Sequence, residues 1–81
     1  MARVLLFGRL ADVSGWRERT IAPPPPTLTA LLALLAAEDA ALGEALGAPG
    51  VQAAVDRVLV RGEADLAEAR EIAFMPPMSG G

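Results

Sequence analysis

Four consecutive prolines, Pro23 to Pro26, set the first limit on how this chain can fold. Residues without a backbone N–H belong neither to a helix interior nor to a central strand, and they favour an extended polyproline-II path. The run therefore divides the chain into a short N-terminal segment and a longer C-terminal one. Such a run is also a ligand pattern for proline-recognising modules. Its place directly before a helix assigns it instead to a stiff connector. With 81 residues there is room for one core and no second domain.

Thr27 stands where an N-cap belongs, and Leu28, Leu31, Leu32 and Leu35 follow at i, i+3, i+4 and i+7, one apolar stripe of a helix running to Ala37. The pattern weakens through Glu38 to Leu46 and stops at Gly47, Pro49 and Gly50. Around this helix lie runs of strand length. Arg3 to Leu10 is apolar between charges, Ala11 to Gly15 is a helical turn or loop, and Arg17 to Ala22 reads as a charged edge strand. Val51 to Val55 and Val58 to Arg61 are two short strands joined at Asp56-Arg57, a tight hairpin signal, with Asp56 expected to hydrogen-bond local backbone. Gly62 to Ala69 is a polar connection, and Arg70 to Met75 is the final strand, ended by Pro76-Pro77.

The order strand, strand, helix, strand, strand, strand predicts an α+β roll in which one main helix covers one face of a five-stranded sheet. Strand alternation then assigns the faces. With Val4, Leu6, Val58, Val60, Ile72 and Phe74 toward the helix, the opposite face shows Leu5, Phe7, Leu59, Ala73 and Met75. That second face is apolar with nothing left in the chain to cover it, so it predicts a docking surface. The hydrophobic fraction of 53% points the same way.

Composition narrows the function. There is no His, Cys, Lys or Tyr, which removes the commonest general bases, activated nucleophiles and metal ligands. No disulfide or thiolate metal site is available, and no self-contained active site is expected. The net charge is −3 and all seven cations are arginines, scattered rather than clustered, so no nucleic-acid partner is expected. The longest apolar stretch, Leu28 to Ala37, falls far short of the roughly 20 residues that span a bilayer, and no secretory signal is visible. The reading is a soluble, cytoplasmic chain without a membrane partner.

What remains is the end of the sequence. Residues 1–77 form the expected domain and 78–81, Met78-Ser79-Gly80-Gly81, a flexible tail. Two terminal glycines place an ionised α-carboxylate on backbone able to thread a narrow crevice, where it can attack the α-phosphate of ATP. Pro76-Pro77 stiffens the exit and aims the tail outward.

The segments Val4-Leu5-Leu6-Phe7, Ala53-Ala54-Val55-Asp56 and above all Glu71-Ile72-Ala73-Phe74-Met75-Pro76-Pro77-Met78-Ser79-Gly80-Gly81 resemble the small, sulfur-carrier subunits of molybdopterin synthase. The resemblance implies a ubiquitin-like β-grasp fold with a mixed five-stranded sheet. It further implies that a ubiquitin-activating-like adenylyltransferase uses ATP and magnesium on Gly81, that a thiocarboxylate then forms there, and that this chain binds no cofactor itself. The charged carrier would join the synthase large subunit in a two-plus-two heterotetramer and give its sulfur to cyclic pyranopterin monophosphate. Gly81 and Gly80 are thus the expected catalytic residues, with Phe7, Leu59, Met75, Pro76, Pro77, Met78 and Ser79 meeting the partner. The sequence departs from that pattern at Asp56, where asparagine is frequent, at Met75, where an aromatic residue is common, and at Ala69-Arg70-Glu71, where Gly-Asp-Glu is usual. Sister ubiquitin-like carriers for thiamin, cysteine or transfer-RNA thiolation share the tail, as does a protein modifier conjugated through Gly81.

Overall fold

The computed structural model describes residues 1–77. The elements run β1 (Ala2–Leu6), α1 (Arg9–Ser14), β2 (Glu18–Ile21), α2 (Leu28–Glu38), α3 (Ala40–Leu46), β3 (Gln52–Val55), β4 (Val58–Val60) and β5 (Glu71–Met75). The strands form one mixed sheet in the order β2-β1-β5-β3-β4. β5 lies at its centre, parallel to β1 and antiparallel to β3.

Alternation divides the faces as the sequence predicts. Ala2, Val4 and Leu6 of β1 and Ile72 and Phe74 of β5 are buried beneath the helices with Leu10, Leu31, Leu35, Leu42 and Leu66. The first apolar run is shorter as a strand than expected, because Gly8 at φ 55° turns the chain and Arg9 opens α1. Leu10 and Ala11 thereby enter the core from a helix.

The expected main helix is α2. Thr27 caps it, accepting the Ala30 N–H on Oγ1 at 3.2 Å, and Leu28, Leu31 and Leu35 are its buried stripe. The weak stretch that follows is a separate helix, α3. Asp39, in extended conformation, closes α2 and caps α3 by accepting the Leu42 N–H at 3.1 Å. Leu42 and Leu46 then reach the core one turn apart. The two helices meet where Gly43 lies against Ala36, since a Cβ at 43 would stand 2.5 Å from the Ala36 Cβ.

A second cap on α2 comes from far along the chain. Glu63 accepts the N–H groups of Thr29 and Ala64, both at 3.0 Å. The Thr29 hydroxyl first and these N–H groups next hold its carboxyl below the usual range. A lowered folded pKa stabilises above the unfolded glutamate pKa, and that contribution disappears as pH falls through the folded value. Glu63→Gln is therefore expected to flatten the acid side of the stability profile, read as Tm against pH. The connection from Gly62 to Ala69 is also not wholly polar: Leu66 is fully buried, and its N–H donates to the Pro26 carbonyl at 2.9 Å.

Asp56 and Arg57 form the predicted two-residue hairpin, both with positive φ, at 49° and 70°. The Asp56 carboxylate reaches beyond its own turn. Its Oδ1 accepts the N–H of Arg70 at 2.9 Å and of Glu71 at 3.0 Å, while its own N–H donates to the Glu71 carbonyl at 2.8 Å. The hairpin is thus tied to the start of β5. Only an acceptor oxygen is needed, so Asp56→Asn should leave stability nearly unchanged. Asp56→Ala, which removes the acceptor and favours a left-handed turn less, should cost about 1–2 kcal/mol in chemical denaturation.

Candidate functional site

The face of the sheet away from the helices is built in rows. Register places Leu5 beside Ala73, Ala73 beside Ala54, and Ala54 beside Leu59, one row across four strands. Three strand spacings make this row about 14 Å long. In the next row Met75 pairs with Gln52, and Phe7 extends β1 beside it, its N–H donating to the Phe74 carbonyl at 3.2 Å. Phe7 is 47% exposed and Leu59 58%, whereas Ala73 and Ala54 are only 7% and 8% exposed. Small residues at the middle of the row, walled by larger ones, make a shallow apolar depression. Arg3 and Glu71 close one border with an ion pair of 3.0 Å.

Phe7, Leu59 and Met75 are therefore brought onto one face, Met75 half-buried and the other two prominent. Val58 points to the helix side as predicted, but it is 65% exposed because the helices stop short of the edge strand.

β5 ends at Met75 and leaves the sheet through Pro76 and Pro77. Each proline rests against a glycine that has positive φ. A Cβ on Gly8 would come within 3.0 Å of the Pro76 ring, and one on Gly50, at φ 87°, within 2.9 Å of the Pro77 Cβ. In the sequence Gly50 carries only a helix-stop signal, and Gly8 carries none of its own. The diproline supplies the signal, since two rigid rings leaving a central strand need neighbours without side chains. Beside this exit a groove of about 410 Å³ opens between α1 and α3, with Leu10, Val13, Ala45, Pro76 and Pro77 among its walls. The expected residues Met78, Ser79, Gly80 and Gly81 lie outside the described residues.

One charged pair fastens β2 to α2. Arg19 pairs with Glu38 at 2.7 Å, a hydrogen bond that raises the arginine and lowers the carboxyl pKa. Among the described residues, no group of three or more His, Cys, Asp or Glu side chains converges to hold a metal ion.

Comparison with known proteins agrees with this geometry. The ThiS family model matches residues 4–81. The molybdopterin synthase sulfur carrier subunit of Escherichia coli K12 is 33% identical over 81 residues, covering all of both chains. The crystal structure of SAMP1 from Haloferax volcanii superposes with a TM-score of 0.70 and 25% identity, over 99% of this chain and 98% of that one. A match over nearly the whole sequence, on the same sheet and helices, places the chain in the ThiS family, with a ubiquitin-like β-grasp fold.

Proposed function

We propose that the chain is the sulfur-carrier subunit of a molybdopterin synthase, with the main-chain carboxyl of Gly81 as its reactive group. The observation that carries the reading is the exit of β5. The central strand runs out through two prolines seated on Gly8 and Gly50, beside an apolar sheet face that no element of the described chain covers. The full-length likeness to the Escherichia coli carrier supports the same assignment.

In this reading a ubiquitin-activating-like adenylyltransferase binds the domain, and the Gly81 carboxylate attacks the α-phosphate of ATP, releasing pyrophosphate. The outer sulfur of a protein persulfide displaces AMP to give an acyl disulfide. A second thiol then attacks the donor's sulfur, releasing the thiocarboxylate and leaving a disulfide on the donor. The carrier then docks through Phe7, Leu59 and Met75 on the large subunit, in a two-plus-two heterotetramer in the cytoplasm. Its tail enters the partner's site, where the sulfur attacks cyclic pyranopterin monophosphate. Water then cleaves the acyl–sulfur bond, leaving the sulfur on the pterin and a carboxylate on Gly81. The carrier contributes position rather than acid–base chemistry. Docking converts the sulfur transfer into an effectively intramolecular step.

Intact mass spectrometry of the protein from its native cells tests the chemistry. The expected spectrum contains a species with one oxygen replaced by sulfur, which fragmentation places on Gly81. A spectrum without it under molybdenum-cofactor demand sinks the proposal. A sister carrier would show the same mass but would not sulfurate cyclic pyranopterin monophosphate with the large subunit.

A further inference from the structure

The two edges of the sheet differ in what they offer. On β2, Arg19 is held by Glu38 and lies 5.1 Å over the Trp16 ring, Glu18 is 3.8 Å from Arg3, and the four prolines follow. Committed charges and prolines of this kind blunt an edge. β4, the opposite edge, is Val58-Leu59-Val60, apolar and of high strand propensity, with Val58 and Leu59 the exposed side chains noted above. Val58 faces Val55 across the two-residue turn and Val60 faces Ala53, the positions that bond back to β3. The N–H and C=O of Leu59 consequently point away from the sheet.

The charges around this strand are sorted. The flanking acids are turned inward, Asp56 onto β5 and Glu63 onto α2. Arg57 and Arg61, which bracket the strand directly, make no ion pair among the described residues. On a chain of net charge −3 the β4 edge is locally basic, apolar, basic. A second copy of the chain does not fit it. Antiparallel self-pairing centred on Leu59 would set Arg57 of each copy opposite Arg61 of the other, and like charges directly opposite are destabilising.

We propose that β4 is a strand-addition site for an extended segment of a partner protein, in which a short apolar, β-branched run is bracketed by aspartate or glutamate. The backbone of Leu59 supplies the bonds, Val58 and Val60 on one face and Leu59 on the other supply apolar contact, and Arg57 and Arg61 receive the acids. Leu59 also ends the apolar row of the open face, so a segment added here extends that face sideways. The inference is independent of whether the tail carries sulfur.

The test titrates the isotope-labelled chain, followed by amide NMR, with a short peptide of Val-Ile-Val bracketed on each side by two acidic residues. The same peptide bracketed by lysines, and one with proline at its centre, serve as controls. Binding is expected with shifts centred on residues 57–61, weakened roughly tenfold or more by the lysines and lost with the proline. Arg57→Glu with Arg61→Glu should reverse the preference and bind the lysine-bracketed peptide better, a gain that misfolding cannot imitate. Absence of shifts at millimolar peptide overturns the proposal. So do shifts centred on β2 or the helices, or affinity indifferent to the bracketing charge in both chains.

Discussion

Removal of Gly81 is expected to abolish activation of the chain while leaving its thermal unfolding unchanged. Among the described residues, Ile72 and Phe74 are the last fully buried side chains, and both precede the diproline exit. The proposed reaction has no such tolerance. One residue of extended chain spans about 3.3–3.6 Å, so a chain ending at Gly80 stops short by roughly the whole separation between reacting atoms in a productive complex. Misplacement on the order of 1 Å can already cost about 100-fold. Deletion should therefore bring ATP–pyrophosphate exchange with the adenylyltransferase to background, and a chain extended past Gly81 by residues that resist trimming should fail likewise. Exchange at the original rate in either variant, with cofactor assembly intact, would show that the carboxyl of Gly81 is not the required reactive group.

The features that position this end were largely legible, because they rest on period-two alternation. The outward set Leu5, Phe7, Leu59, Ala73 and Met75 follows from which residues alternate, whereas the place of β5 between β1 and β3 is set by long-range pairing that alternation does not encode. Ala54, which completes the row, was not legible, because Ala53-Ala54 carries no contrast from which to choose a face. The second helix was harder to read for a related reason. Alanine dilutes the stripe after Leu35, and the signal that survives is Asp39 as a cap with Leu42 and Leu46 behind it. Reading the whole stretch as a fading single helix misses that cap.

Contacts across long separations were out of reach for pattern reasoning. Asp56 is an acid in a turn, and turn chemistry predicts local bonding, yet its Oδ1 accepts the N–H groups of residues 14 and 15 positions away. Glu63 likewise caps α2 through Thr29, 34 residues earlier in the chain. Both acids sit in connections and both fasten an element not adjacent to them in sequence. Val58 shows the converse. Its face was legible, but its exposure depends on where the helices end relative to the edge of the sheet.

Charge placed at the centre of the open face should break docking without breaking the fold. Phe7→Asp and Leu59→Asp each remove an apolar side chain that protrudes from the two ends of the depression and put an ionised group where a partner would exclude water. In a docked interface such positions behave as anchors, and a loss of about 2 kcal/mol or more, roughly thirtyfold in Kd, is expected against the synthase large subunit by calorimetry. The isolated domain should lose no more than about 1 kcal/mol, because neither side chain belongs to the buried cluster beneath the helices. Met75→Leu, which keeps the apolar contact and volume, should bind within about threefold of the original chain. Unchanged affinity in both aspartate variants would mean that the partner engages the helix face instead. In that case the groove between α1 and α3, beside Pro76 and Pro77, would be the surface to alter next.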